Sequence, residues 1–239
     1  RERLHGGFME LEDAEFMWGF NHTTETQLTY VSFSSHMSND CLGYAGLDQP
    51  AKLIDKSLYD QISKTDYRKS LFNGPEGDKT ASADTPGAAR PYASRKFGYM
   101  AQWLQDYIYM RASEMVLIEA ESYARLGDGA KAASVLGELM AKRDIAWKAA
   151  SVTVDDVLLQ RRIELWGEGH GYYDLRRNGK GIDRNYEGSN HTPANRIKVP
   201  AHDNLWWFQL PLKEITENDM ISEDEQNPWS KEQDNDKED

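Results

Sequence analysis

The chain has 239 residues and a formal net charge of −12, with 40 Asp and Glu against 28 Lys and Arg. That length can bury a sizeable core, as one domain or as part of a larger protein. The acidic balance argues against nucleic-acid binding, which needs clustered Lys and Arg on phosphates. Cys41 is the only cysteine, so there is no internal disulfide framework. Its neighbours Asn39, Asp40 and Leu42 do not form a lipid-attachment motif. No run is long and apolar enough to span a bilayer, and no secretory signal is visible.

Residues 15–20 (EFMWGF) are predicted as a short strand, with Trp18 and Phe20 on one face and Met17 and Gly19 on the other. Residues 21–46 show no regular period. A loop this long is functional or disordered, and Tyr30, Phe33, His36, Met37 and Tyr44 argue against disorder. Gln49-Pro50 is predicted to open a helix, with proline at the tolerated first position. Leu53, Ile54, Leu58, Tyr59 and Ile62 supply its buried face. Residues 73–89 read as a mobile surface loop and 94–97 as a short strand.

Residues 109–126 give the clearest helical pattern. Tyr109, Ala112, Val116, Leu117, Ala120, Tyr123 and Ala124 line one face; Arg111, Glu114, Glu121 and Arg125 line the other. Glu121 and Arg125 form a favourable i,i+4 pair. Gly127-Asp128-Gly129 ends this helix, and 130–143 forms the next, burying Ala133, Leu136 and Met140. Ala120, Tyr123, Gly127, Ala132 and Leu136 sit at tetratricopeptide spacing, small residues at the helix crossing and large ones in the gaps. One such hairpin cannot bury its own face and needs neighbours.

Val154, Val157, Leu158 and Leu165 form the apolar stripe of a further helix, with Asp155 and Asp156 in its first turn. Arg161 falls inside that stripe. Unpaired there it would cost roughly 3–5 kcal/mol, so a carboxylate partner is expected. Gly167-Glu168-Gly169 breaks the helix. A short helix with Tyr172, Tyr173, Leu175, Arg176 and Arg177 follows, closed by Asn178-Gly179. Residues 185–198 are a polar loop. Residues 217–239 hold ten acids against Lys231 and Lys237, and are expected to be solvated or partly frayed.

Residues 161–179 (RRIELWGEGHGYYDLRRNG) resemble the signature of the SusD/RagB family, roughly E-R-R-x-E-L-x-x-E-G-x-R-x-x-D-L-x-R-x-G. Arg161, Arg162, Glu164, Leu165, Glu168, Gly169, Tyr172, Asp174, Leu175, Arg177 and Gly179 fit; Gln160 and Gly171 depart from it. Asp66-Tyr67-Arg68-Lys69 resembles the family's D-x-R-K segment. Trp206 to Leu212 with Glu214-Ile215 resembles its F-x-L-P-I-P-x-x-E-I ending, and Gln226-Asn227-Pro228-Trp229 its Q-N-P-G-Y, with Trp229 in place of Gly. Strand 15–20 resembles the one that opens the family's carboxyl-terminal half. The resemblance implies a mainly α fold of tetratricopeptide-like hairpins with long irregular loops and a few short strands. It implies that 1–239 is a single domain, the carboxyl-terminal part of such a protein. Family members are outer-membrane, cell-surface lipoproteins that hold nutrients, mostly glycans, over a SusC-like TonB-dependent transporter. The signal, the anchoring cysteine and most helical repeats would then belong to an amino-terminal half outside this chain.

Two chemistries compete in this pattern. Glu164, Glu168 and Asp174 could serve a glycan hydrolase, which needs two carboxylates about 5 Å apart for retention or roughly 6.5–9.5 Å for inversion. Arg161, Arg162, Arg176 and Arg177 lie among them, however. Arginine lowers a carboxylate's pKa where a general acid needs it raised, so a salt-bridge lattice between helices is the expected role. The alternative is binding without catalysis. Sugar C–H faces rest on aromatic rings, and the loop residues Tyr30, Phe33, His36 and Tyr44, with Trp103, are the candidate ligand-binding residues. Tyr109, Tyr123, Trp166 and Tyr173 lie in helical patterns and are expected in the core, and Trp206, Trp207 and Phe208 fall in a structural part of the family. A helical-repeat scaffold binding only protein is a third reading. The histidines show no metal-ligand spacing, and Gly167, Gly169 and Gly171 follow a helix where a nucleotide loop needs a strand, so no metal or cofactor is expected.

Overall fold

The computed structural model describes residues 4–27 and 29–228. Among these lie eight helices: α1 (Phe33–Met37), α2 (Lys56–Gln61), α3 (Pro86–Ala89), α4 (Ala112–Arg125), α5 (Gly129–Met140), α6 (Val154–Glu164), α7 (Gly171–Arg177) and α8 (Leu212–Glu217). There are also short 3-10 turns and four short strands: β1 (Phe16–Phe20), β2 (Tyr107–Arg111), β3 (Ile182–Asp183) and β4 (Lys198–Val199). This is the mainly helical, loop-rich fold that the sequence predicts. The chain forms two compact units, the first ending at His170 and the second starting at Gly171.

Helices α4 and α5 form the predicted hairpin. Asp128 caps α5, its side chain accepting from the Lys131 N–H at 2.9 Å. Leu117, Ala120, Ala132, Ala133, Leu136 and Met140 make one core with Val157 and Leu165. Helix α6 is thus the neighbour the hairpin needs. Its start is fixed by a capping box: Thr153 Oγ1 accepts from the Asp156 N–H, and Asp156 Oδ2 accepts from the Thr153 N–H at 2.8 Å. A second core joins Phe8, Ile54, Leu58, Ile62, Leu71, Phe72 and Phe97 to Ile163 of α6. Helix α6 therefore serves both cores.

Several boundaries differ from the sequence reading. Helix α2 starts at Lys56 and not at Pro50, because Asp55 supplies the cap, accepting from the Leu58 N–H at 3.2 Å. Leu53 instead bridges Ala93 in extended form. Ile54, Leu58 and Ile62 are nonetheless buried as predicted. Residues 94–97 make no named strand; Ser94 forms an isolated bridge to Phe72. The 73–89 loop is tied at its ends, since Asn73 Nδ2 donates to the Ala88 and Arg90 carbonyls at 2.8 and 2.9 Å. Residues 107–111 are strand β2, paired antiparallel with β1, so α4 begins three residues after Tyr109. Aromatic and β-branched residues at alternating positions favour the pleated form here. Register shifts between Phe16 and Trp18 and between Trp18 and Gly19 break the expected alternation of β1, leaving Met17, Trp18 and Phe20 all exposed. Residues 229–239 of the predicted acidic tail, Trp229 included, lie outside the described residues.

Removing the core contact of Leu136 (Leu136→Ala) is expected to destabilise the protein by about 2–5 kcal/mol in urea unfolding. Removing the α6 cap (Thr153→Ala) is expected to cost about 1 kcal/mol in the same assay.

Candidate functional site

The carboxylate of Glu164 is completely buried at the end of α6. Three guanidinium groups from distant segments close on it: Arg68 at 3.2 Å, Arg111 at 2.7 Å and Arg143 at 3.0 Å. The arrangement extends outward. Arg111 holds Glu168 with two parallel bonds of 2.7 and 2.8 Å. Glu168 also meets Lys96, whose ammonium donates to the Glu164 and Trp166 carbonyls at 2.8 Å each. Asp66 grips Arg68 at 2.7 Å, and Glu15 lies 3.1 Å from Arg111 and 3.3 Å from Arg143. Four cations thus face four carboxylates, with His5 against Glu15 at 3.0 Å.

Burial alone would raise the pKa of Glu164; Arg111, Arg143 and Arg68 overcome it and hold the carboxyl well below the ordinary range. Glu168 is lowered in the same way, burial being outweighed by Lys96 and Arg111. Burial also opposes ionisation of Glu15, yet its hydrogen bond to His5 and the nearby charges bring it down to about 2. Burial lowers Lys96 to about 8 despite Glu168. These carboxylates are fixed anions, the opposite of a general acid with a raised pKa. The partners of Glu164 and Glu168 are not the arginines next to them in sequence, whereas Asp174 does pair with its neighbour Arg177. Arg161 turns to Glu114 at 3.6 Å, and Arg177 to Asp174 at 2.8 Å. Donor atoms of His5, Glu15 and Glu164 gather within 4.8 Å of one another. The guanidinium groups of Arg111 and Arg143 already supply positive charge there.

The loop aromatics come together on the first unit. Tyr30 lies 4.7 Å from Tyr44 and 6.2 Å from Trp103, and His36 lies 4.7 Å from Tyr44, ring centre to ring centre. Tyr99, which the sequence reading missed, packs against Trp103 at 5.3 Å. The loop is pinned by polar ties. The Ser32 hydroxyl caps α1 by accepting from the Ser35 N–H, and the Ser32 carbonyl lies 2.8 Å from His36 Nδ1. Ser35 Oγ accepts from the Tyr44 N–H at 3.2 Å. Buried Asn39 donates to the Lys52 and Ser94 carbonyls. Gln102 and Trp103 both sit at positive φ, 63° and 59°. Such backbone costs about 1–3 kcal/mol per residue and persists where its surroundings enforce it, often at ligand sites.

Phe33 does not join this group. It packs on Phe97 at 5.4 Å and Tyr107 at 6.1 Å, at a cavity of about 340 Å³ also lined by Phe8, Asp106, Tyr109 and Glu168. Buried Asp106 accepts from the Leu11 and His22 N–H groups and from Asn21 Nδ2, fixing the start of the long loop. Tyr109, expected in the core, is 50% exposed and packs on exposed Trp18 at 5.1 Å. The alternating Tyr107 and Tyr109 were the available sign of a strand. Tyr173, also expected in the core, is 65% exposed in the second unit.

A model of the SusD family matches residues 90–229, more than half of the chain. The chain belongs to the SusD family. Its signature at 161–179 falls inside that span and includes Glu164 and Glu168 of the buried lattice. Among solved structures, a SusD-like carbohydrate binding protein from Bacteroides vulgatus matches with a TM-score of 0.71 and 23% identity, over 91% of this chain and 50% of that one. A SusD superfamily protein from Bacteroides thetaiotaomicron gives 0.69 and 22%, over 94% and 53%. Surface glycan-binding protein A from Bacteroides thetaiotaomicron gives 0.59 and 19%, over 90% and 52%. At these identities the likeness is one of fold. The chain spans about half the length of these structures. No curated protein matches it.

Glu164→Gln removes the central charge and leaves three guanidinium groups facing a neutral amide; it is expected to cost roughly 3–5 kcal/mol in urea unfolding. The pH dependence follows from Glu15. Its pKa falls from 4.5 to about 2 in the fold, so its contribution is complete above pH 4.5 and is lost as the pH drops through about 2. Unfolding free energies measured across that window should decline less steeply for Glu15→Gln than for the unaltered chain.

Proposed function

We propose that this SusD-family chain is the carboxyl-terminal part of a surface protein that binds a nutrient oligosaccharide without altering it. Tyr30, His36, Tyr44 and Trp103 form the ligand platform; Phe33, packed on Phe97 and Tyr107, is not part of it. The observation that carries this reading is the convergence of rings from two separate stretches of chain, Tyr30, His36 and Tyr44 from one and Trp103 from the other, with His36 and Tyr44 tied by polar contacts to Ser32 and Ser35. That the similar structures include a carbohydrate-binding and a surface glycan-binding protein supports a glycan as ligand. Each ring that buries roughly 50–100 Å² of apolar sugar surface yields about 1–2.5 kcal/mol. Two or three rings, less the cost of association, give affinities of order mM to µM, suited to a protein that hands its ligand on. The receiver is a SusC-like TonB-dependent transporter. The site is the outer-membrane surface, with the lipid anchor in an amino-terminal part. The pinned state of Glu164 and Glu168 supports binding over hydrolysis.

A glycan array on the full-length protein, followed by calorimetry on the best oligosaccharide, tests this. Trp103→Ala and Tyr44→Ala should each weaken binding roughly tenfold with folding preserved. Binding indifferent to both substitutions, or reducing ends released on incubation, would overturn it.

A further inference from the structure

The second unit has a cavity of about 100 Å³ that the platform above does not use. Its walls are Arg176, Gly179, Lys180, His202, Trp206 and Trp207. Three cation- or imidazole-bearing side chains and two indoles around one small space stand out in a chain of net charge −12.

The cavity is built on a wired frame. The Tyr172 hydroxyl donates to the Trp206 carbonyl, and Trp206 Nε1 donates to the Pro200 carbonyl at 2.7 Å. The Arg176 guanidinium lies over the Tyr172 ring at 5.7 Å and the Trp207 ring at 5.0 Å, and donates to the Tyr172 hydroxyl at 3.2 Å. Among the described residues Arg176 makes no ion pair. Asp174, close by in sequence, is taken by Arg177, and Asp203 accepts from the Leu205 N–H. Helix α7 ends at a left-handed Gly179, where a side-chain carbon would stand 3.3 Å from His202 Nε2. His202 itself is at φ 62°, held over that glycine. Trp207 is 50% exposed and Phe208 73%, although the sequence reading placed them in a structural segment. The backbone there is the structural part: Gln226 bonds both the N–H and the carbonyl of Leu210.

We propose that this cavity binds the acid group of an anionic saccharide, a uronate carboxylate or a sugar sulfate, on Arg176, with the sugar ring resting on Trp207. A guanidinium offers parallel N–H donors that match both oxyanions, and its stacking on aromatic rings holds that fork in place. The volume accepts an acid group and leaves the ring at the mouth, against the indole. Lys180 adds positive charge and His202 a further ring nitrogen. The site lies in the second unit and stands whether or not the first unit holds a neutral glycan.

Calorimetry on the full chain with tetragalacturonate, its fully methyl-esterified counterpart and a sulfated disaccharide tests this. One of the two anions should bind, the neutral ester should not, and which anion binds assigns carboxylate or sulfate. Arg176→Gln and Trp207→Ala should each weaken that binding at least about tenfold with melting temperature unchanged; Arg176→Lys should fall between. Lys213→Gln, which removes the same charge elsewhere in the second unit, should leave it intact. Equal binding of the methyl ester, affinity unchanged in both variants, or no binding of either anion would overturn the proposal.

Discussion

Glu164 offers one buried carboxylate to three guanidinium groups, from residues 68, 111 and 143. No stretch of chain near Glu164 in sequence provides them. Removing charges from water costs several kcal/mol per ion, recovered only when every partner is in place. This arrangement therefore permits one way for the segment after α2, the end of β2, the exit of α5 and the end of α6 to meet. Helix α6 contributes to both hydrophobic cores, so the charges and the apolar packing specify the same junction. Gly167 follows at φ 79°, where a Cβ would come within 2.7 Å of the Phe97 ring. The chain turns tightly there, which brings Glu168 onto Arg111 and Lys96.

A junction fixed in this way leaves the loops free to specialise. The described residues from Asn21 to Gly46 are irregular apart from α1, and side-chain bonds from Ser32, Ser35, Asn39 and Asp106 tie them. Tyr30, His36 and Tyr44 are left outside the two cores, while Phe33 packs on the core residue Phe97. Those three rings gather with Trp103, whose backbone is left-handed. Buried fixed charge and rings left at the surface are complementary roles.

How much of this the sequence carries depends on the range of each interaction. The hairpin α4–α5, the pair Glu121–Arg125 and the stripe of α6 are local periodic features and appear where the pattern puts them. The signature at 161–179 marks the family through residues that the structure places in the lattice and in α7. Tyr109 fits a helical stripe as well as a strand, and the partner β1, some ninety residues earlier, decides for the strand, so α4 starts later than the local pattern predicts. Arg111, read as a solvent-facing helical residue, is buried for the same reason. That acids and arginines would pair was legible from their composition. Which arginines would pair was not, since Arg68, Arg111 and Arg143 reach Glu164 only through the fold. Likewise the sequence places Phe33 among its loop neighbours, while the partners that take it, Phe97 and Tyr107, lie far along the chain.

The account turns on Glu164 being a permanent anion, a brace and not a proton carrier. Carbon-13 NMR of the glutamate side-chain carboxyls, recorded as a pH titration and assigned through Glu164→Gln, reads this directly. The Glu164 resonance should remain that of a carboxylate well below pH 4.5 and change only with acid unfolding. A Glu164 that takes up a proton reversibly above pH 4.5 in the folded chain would contradict the account.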